Sequence, residues 1–295
     1  MTTSTATEMS TGSVVSRDGT RIGYLQLGHG PAVVLLHGSM ETARSHTALA
    51  LALADAFTVY LPDRRGRGMS GPYPADYGMR TELEDLGALL EVSAAEMVFG
   101  VSASGLVALE AGRTLPAIRK VAVYEPALLP AGSKHTSWLP RFDREMKAGD
   151  TAGAMVTSMF GLELMPPAIK VIPRPVLKWL SNLAMKSEDK KAGPDTVTMR
   201  ALAPTIYYEG LLLAEMAGPL STYSGVAAEV LLMGGSKGLA FLKPALDGLE
   251  QTLPHCQRVQ FAGLDHGGSA DVSKANRGGK PEVVAPELRA FLVGS

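Results

Sequence analysis

Short apolar runs alternate along the chain with Ala- and Leu-rich stretches of helical length, and this alternation carries most of the fold prediction. Two strand-like runs, Ser13–Ser16 and Arg21–Leu27, flank Asp18-Gly19, a dipeptide suited to a tight hairpin turn. Ala32–Leu36 ends at His37-Gly38 and Phe57–Leu61 ends at Pro62-Asp63, with a helical pattern over Ala43–Ala56 between them. The same order continues through a helix at Thr81–Val92, a strand at Met97–Gly100, a helix at Ala103–Thr114 and a strand at Lys120–Tyr124. Further on it resumes with a strand at Glu229–Met233, a helix at Leu242–Leu253, a strand at Arg258–Phe261 and a last helix at Glu282–Leu292. Strands that are apolar throughout and alternate with helices are buried on both faces. The pattern therefore predicts an α/β fold, a mostly parallel eight-stranded sheet flanked by helices.

Between the sixth and seventh strands the pattern breaks. Residues 127–227 carry prolines at 130, 140, 166, 167, 173, 175, 194, 204 and 219, and seven of the 14 methionines: Met146, Met155, Met159, Met165, Met185, Met199 and Met216. Such a stretch inserted between two strands of one sheet is expected to be a helical lid, with residues 13–126 and 228–295 forming the core and 1–12 a disordered N-terminus. Methionine fills irregular gaps, so most of these side chains are expected to be packing. Together with Trp138, Phe160, Trp179, Tyr207 and Tyr208 they are also expected to line a cleft that suits an apolar ligand. Lys170, Arg174, Lys178, Lys186, Lys190 and Lys191 read as the solvated face of the lid.

Composition narrows the class of protein without naming its chemistry. The 295 residues suffice for one large domain with an insertion, and Lys+Arg 28 against Asp+Glu 29 gives no electrostatic reason to expect nucleic acid or an anionic membrane surface. The single Cys256 cannot form an internal disulfide, and nothing has metal-ligand spacing, so no cofactor is expected. No stretch approaches transmembrane length, and Met1–Ser13 lacks the basic and apolar regions of a signal peptide. The expectation is a soluble cytoplasmic protein without membrane insertion, with a homodimer left open.

The candidate chemistry lies in Gly100-Val101-Ser102-Ala103-Ser104-Gly105, where an apolar strand runs into a helix. Small residues beside Ser102 let the backbone turn sharply and present Oγ at the top of the sheet, while the first turn of the helix aims free N–H groups at a reacting oxygen. A hydroxyl is a weak nucleophile until a base takes its proton and donors stabilise the oxyanion it creates. The usual Gly-x-Ser-x-Gly pattern has Ser104 in its last position here, so the surroundings must carry the argument.

Those surroundings resemble the α/β-hydrolase superfamily across nearly the whole chain outside the lid. Four blocks occur in that family's order: His37-Gly38-Ser39, Asp63-Arg64-Arg65-Gly66-Arg67-Gly68-Met69-Ser70, the Ser102 elbow, and Gly263-Leu264-Asp265-His266. The resemblance implies Ser102 as nucleophile, His266 as general base and the Ala103 N–H as one oxyanion donor. It places the second donor at Gly38 or Ser39 without choosing between them. The arginine-rich block is a structural turn in such folds and lacks the marks of a phosphate loop. His37 is expected to hold its loop by hydrogen bonding.

The third member of the triad departs from the common arrangement. Most relatives place the acid after the strand that follows the lid, but the equivalent turn here is Gly234-Gly235-Ser236-Lys237-Gly238, and a lysine can neither accept the imidazole N–H nor stabilise an imidazolium. Some members, among them haloalkane dehalogenases and the fungal zearalenone lactone hydrolase, take the acid from the end of the sixth strand, which here is Glu125. Asp265 is the competing choice, though adjacency to His266 would turn its side chain away. The resemblance thus implies a serine hydrolase that cleaves an ester or lactone of a small, mostly apolar molecule. Carbon–carbon bond hydrolysis, acyl transfer and perhydrolysis use the same triad, and a non-catalytic ligand-binding member of the fold is the other alternative. Dehalogenation and epoxide opening need a carboxylate where this chain has Ser102.

Overall fold

The computed structural model describes residues 8–165, 167–193, 196–274 and 276–294. In chain order its elements are β1 (Ser10–Val15), β2 (Arg21–Gly28), β3 (Ala32–Leu36), α1 (Thr47–Leu53), β4 (Thr58–Pro62), α2 (Met79–Ser93), β5 (Met97–Val101), α3 (Ala103–Thr114) and β6 (Lys120–Tyr124). An insertion follows, with α4 (Leu139–Lys147), α5 (Thr151–Gly161), α6 (Pro167–Lys170), α7 (Arg174–Asp189), α8 (Met199–Leu202) and α9 (Thr205–Glu215). The chain then returns through β7 (Glu229–Gly235), α10 (Lys243–Thr252), β8 (Cys256–Phe261) and α11 (Pro281–Val293). None of the described helices is long and apolar enough to cross a membrane.

The eight strands form one sheet in the order β1-β2-β4-β3-β5-β6-β7-β8. β2 pairs antiparallel with β1 and β4, and every other pairing is parallel. Period-two alternation divides each central strand between the two faces. Val34, Val98, Val121 and Val123 point into the core beneath α2, α3 and α10, whereas Val33, Phe99, Ala122 and Tyr124 point into the core beneath α1 and α11. The register matters most at the strand ends. Val101 pairs with Tyr124 and Tyr124 with Met233, so the residues that follow β5, β6 and β7 emerge side by side at one edge of the sheet.

Two expectations need correction. β1 begins at Ser10, inside the segment read as disordered, and Ser10, Thr11 and Gly12 pair with Gln26, Leu25 and Tyr24; residues 1–7 lie outside the described residues. The strand was hard to see because it is an edge strand, polar and largely exposed, with Val14 its one buried side chain. The helix expected over Ala43–Ala56 is instead a short 3-10 turn, Ala43–His46, followed by α1. His46 breaks the run at φ −125°, ψ 25°, where its fully buried ring reaches Glu41, with Nε2 3.0 Å from Oε2. In the insertion, Pro140 and Pro175 stand in the first turns of α4 and α7, where the missing N–H costs no helical bond. Pro166 and Pro194 lie outside the described residues.

The arginine-rich block after β4 joins the insertion to the core. Asp63 closes its turn by accepting the Ala43 N–H (2.8 Å) and the Met69 N–H (2.9 Å). Arg64, Arg65 and Arg67 are buried, which is tolerable only because each is paired. Arg65 bonds Asp85 and Asp18, and Arg64 bonds Glu82 (2.8 Å). Both Arg64 (2.9 Å) and Arg67 (2.7 Å) bond Glu209 on α9. Beside this cluster Tyr208 of α9 stacks on Tyr73 with ring centroids 3.6 Å apart. Burial alone would raise the Glu82 pKa, but the Arg64 guanidinium outweighs it and holds the carboxyl below its usual range.

Removing Glu209 leaves two buried guanidinium groups short of an anion. Glu209→Ala is expected to cost about 3–5 kcal/mol of folding free energy in urea denaturation. Glu250→Ala, which removes a largely exposed partner of Arg258, should stay within about 0.5 kcal/mol of the parent protein. Equal effects of the two would show that α9 is not held by the buried cluster.

Candidate active site

Ser102 stands between β5 and α3 at φ 56°, ψ −121°, a conformation that an L residue adopts only when its surroundings impose it. Its N–H donates to the Tyr124 carbonyl (3.1 Å), and its own carbonyl accepts the N–H groups of Gly105 (3.0 Å) and Ala127 (3.0 Å). A Cβ at Gly100 would run into the Ser104 carbonyl oxygen, so the residue before the elbow has to be glycine. Ser104, the departure from the usual motif, is completely buried and pins the turn. Its hydroxyl accepts the Val101 N–H (2.9 Å) and donates to the Leu36 carbonyl (2.8 Å) at the end of β3. Serine at 104 therefore ties the elbow to the His37-Gly38-Ser39 turn, a role that glycine could not fill.

Glu125 follows β6 at φ 44° and is 2% exposed. Its Oε1 accepts the Gly235 N–H (2.9 Å), and its Oε2 accepts the Leu239 N–H (3.3 Å) and lies 2.7 Å from His266 Nδ1. A carboxylate can only accept, so Nδ1 carries a ring proton, and in the neutral imidazole this tautomer leaves the lone pair on Nε2. Asp265 is occupied elsewhere, with Oδ1 accepting the Gly267 N–H (3.0 Å), while the Tyr124 hydroxyl donates to the Asp265 carbonyl (2.7 Å). Of the two candidate acids, Glu125 is the one the fold brings to His266. Lys237 is exposed. A Cβ at Gly238 would collide with the Glu125 carboxyl, so the glycines of the turn after β7 make room for an acid supplied by β6.

The turn after β3 settles into a polar network. His37 is fully buried; burial, reinforced by Arg67 and Arg64, pushes its pKa well below the usual histidine value. It is neutral, with Nδ1 donating to the Gly38 carbonyl (2.9 Å) and Nε2 accepting the Arg64 N–H (3.1 Å). It holds the loop, as expected. Glu41 and His46, by contrast, carry no motif in the sequence. Glu41 Oε2 accepts the Gly38 N–H (2.7 Å) and faces His46 Nε2 (3.0 Å). The Gly38 N–H is thereby taken, whereas the Ser39 N–H finds no acceptor among the described residues.

Ser102, His266, Gly38, Ser39 and Glu41 open on a cavity of about 230 Å³. Its walls are mainly apolar, built by Val101 from the core and by Trp138, Met155, Met159, Ile206 and Leu213 from the insertion. Of the five aromatic residues expected there, Trp138 alone lines it. Phe160 packs against the Val156–Leu177 cluster, Tyr207 packs in the core of the insertion, and Tyr208 stacks on Tyr73. Trp179 is 63% exposed.

A profile of the Alpha/beta hydrolase family matches residues 33–272. Among known proteins, the chain is 27% identical over 241 residues to a pimeloyl-[acyl-carrier protein] methyl ester esterase of Xanthomonas axonopodis pv. citri, covering 81% of this chain and 89% of that protein. A protein of the same description from Xanthomonas oryzae pv. oryzae is 26% identical with the same coverage. Among solved structures, an alpha/beta hydrolase from Sphaerobacter thermophilus superposes with a TM-score of 0.73 at 26% identity, over 96% of this chain and 100% of that one. A thermophilic esterase from Thermogutta terrifontis gives a TM-score of 0.70 over 96% and 98% of the two chains, and at 18% identity that likeness is one of fold.

Burial alone would raise the Glu41 pKa, but His46 and the Gly38 N–H outweigh it and hold the carboxyl below its usual range. A lowered acid stabilises the fold at pH values above the unfolded pKa and loses that contribution as pH falls through the folded one. The unfolding free energy of Glu41→Gln in urea should therefore fall short of the parent by about 1–3 kcal/mol at neutral pH, and the gap should close below about pH 4. A gap that stays constant from pH 7 to pH 3 would rule out an ionised Glu41 as the anchor of the turn.

Proposed function

The chain belongs to the alpha/beta hydrolase family, and from that premise we propose that it is a serine esterase acting on an ester or lactone of a small, mostly apolar molecule. One observation carries this reading: Ser102, on a strained elbow, shares a cavity with a histidine whose Nδ1 is held 2.7 Å from Glu125. His266 Nε2 takes the proton of Ser102 Oγ as the oxygen attacks the carbonyl carbon, and Glu125 stabilises the imidazolium that forms. The developing oxyanion is met by the Ala103 N–H in the first turn of α3 and by the Ser39 N–H, the one left free when Glu41 takes that of Gly38. The imidazolium returns its proton to the leaving alkoxide. His266 then deprotonates a water that attacks the acyl-enzyme, and collapse of the second tetrahedral species releases the acid and restores Ser102.

Apolar walls favour the substrate class, since each Å² of apolar surface withdrawn from water contributes roughly 25 cal/mol. The two carboxylates at the wall disfavour an anionic substrate: Glu209 is neutralised by Arg64 and Arg67, but Glu41 bonds only His46 and the Gly38 N–H among the described residues. Helices α4–α9 act as the lid over this cavity. The methyl ester esterase description of the Xanthomonas relatives fits the same bond type.

A fluorophosphonate probe is expected to label Ser102 alone. Ser102→Ala should abolish ester turnover with little change in melting temperature, and Glu125→Gln should lower kcat by about 10⁴-fold, because an amide cannot stabilise the imidazolium. Lys237→Ala should be active. Labelling at Ser39 or Ser104, or loss of less than about tenfold in Glu125→Gln together with an inactive Asp265→Asn, would overturn the assignment. On a panel of esters and lactones read by product chromatography, medium-chain or aryl substrates should exceed acetate esters and carboxylate-bearing esters in kcat/KM. Equal values would rule out selection by apolar burial.

A further inference from the structure

On α7, Val176, Trp179, Leu180 and Leu183 recur at helical spacing and stand 44%, 63%, 43% and 52% exposed. The opposite side of the helix already provides its anchorage: Leu177 packs with Val156 and Met165, and Met185 with Trp138 and Phe142. The outer strip therefore lies off the anchored side of the helix, and a contiguous exposed apolar strip marks a surface that something covers. One turn past Leu183 the same face continues with Lys186 and Lys190, both exposed; Lys191 follows, and Lys170 precedes the helix. Arg174 and Lys178 are paired with Glu145 and Asp150, but these four lysines form no ion pair among the described residues. The acids of this helix are engaged elsewhere, Asp189 with Arg200 (2.9 Å) and Glu188 with the Met199 N–H (3.0 Å). A chain whose net charge is −1 thus collects uncompensated positive charge around one apolar strip.

We propose that the outer face of α7 docks on an anionic lipid bilayer, with Trp179 and the two leucines at the boundary between headgroups and acyl chains and the lysines on lipid phosphates. A second copy fits this face poorly. Antiparallel pairing would lay Lys186–Lys191 over the partner's Lys170 end, parallel pairing would lay lysines over lysines, and like charges oppose both. The face is also the convex outside of a single helix, which a deformable bilayer covers more readily than a protein surface that needs a hollow for its anchors. Docking has a further consequence inside the insertion. Met159 packs against the cluster that contains Leu177 and also lines the cavity, so one layer of side chains separates the docked helix from the site.

The test is sedimentation of the full chain with vesicles of phosphatidylcholine alone or with about 30% phosphatidylglycerol, at about 0.05 and 0.5 M NaCl. The protein should bind the anionic vesicles at low salt, with a blue shift of tryptophan emission that reports Trp179, since Trp138, the other of the two, is buried. Trp179→Ser with Leu183→Ser should weaken binding at least tenfold. Lys186→Ala with Lys190→Ala should weaken it about fivefold per lysine removed, and 0.5 M NaCl should weaken it further. Both double variants should hydrolyse a water-soluble ester at the parent rate, which shows that they are folded. Binding is read without turnover, so failure here leaves the reading of Ser102 untouched. Parent-like vesicle binding by either double variant, no binding by the parent protein at either salt, or a solution dimer that Trp179→Ser with Leu183→Ser dissolves would each overturn the proposal.

Discussion

Two neighbouring parallel strands, β5 and β6, each end in a non-glycine residue with positive φ, Ser102 at 56° and Glu125 at 44°, and the geometry of the site rests on the structure that holds both there. Such conformations cost of order 1–3 kcal/mol each and persist only where neighbours over-determine them. Here the neighbours are largely each other. The Ser102 N–H bonds the carbonyl of Tyr124, the residue before Glu125, and the Glu125 N–H bonds Met233 of β7 (2.9 Å). Ser104 adds the end of β3, so three strand ends fix one turn. Side chains placed on adjacent strand ends inherit the rigidity of the sheet, which side chains carried on loops would lack.

Charge is arranged around that frame in closed sets. The arginines after β4 would be ruinous in the interior if left alone, yet with Glu82, Glu209, Asp85 and Asp18 they become the attachment between sheet and insertion. The same residues act at a distance on the turn after β3. Arg64 and Arg67 help to keep His37 neutral, and neutral His37 accepts the Arg64 N–H and positions Gly38. The segment that grips the insertion therefore also shapes the turn opposite Ser102. On the outside of the insertion the balance is different: Arg174 and Lys178 of α7 are paired, but Lys186 and Lys190 at its far end form no ion pair among the described residues, and a whole-chain net charge of −1 conceals it.

Much of this was legible in the amino-acid sequence. Apolar runs of strand length, interrupted by helical patterns, determined the order of elements and the α/β class, because burial on both faces of a parallel sheet leaves no room for polar positions. Small residues around Ser102 marked the elbow for a steric reason that needs no tertiary information, and the lysine at 237 pointed away from the strand after the insertion and toward Glu125, whose carboxylate lies 2.7 Å from His266 Nδ1. What the pattern could not reach was the use made of side chains by residues distant in sequence. Ser104 looked like a weakened glycine until its hydroxyl met Leu36, and Gly238 was an ordinary turn residue until Glu125, 113 positions earlier, occupied the space above it. Glu41 and His46 carry no motif, and only the folding of the loop after β3 makes them a pair. Likewise, hydrophobicity alone placed Trp138 and Trp179 in the same cleft, whereas the rotation of each helix against its neighbours put one at the cavity wall and the other in solvent. Local periodicity determines which residues can be buried; the partner that buries them is decided by tertiary packing.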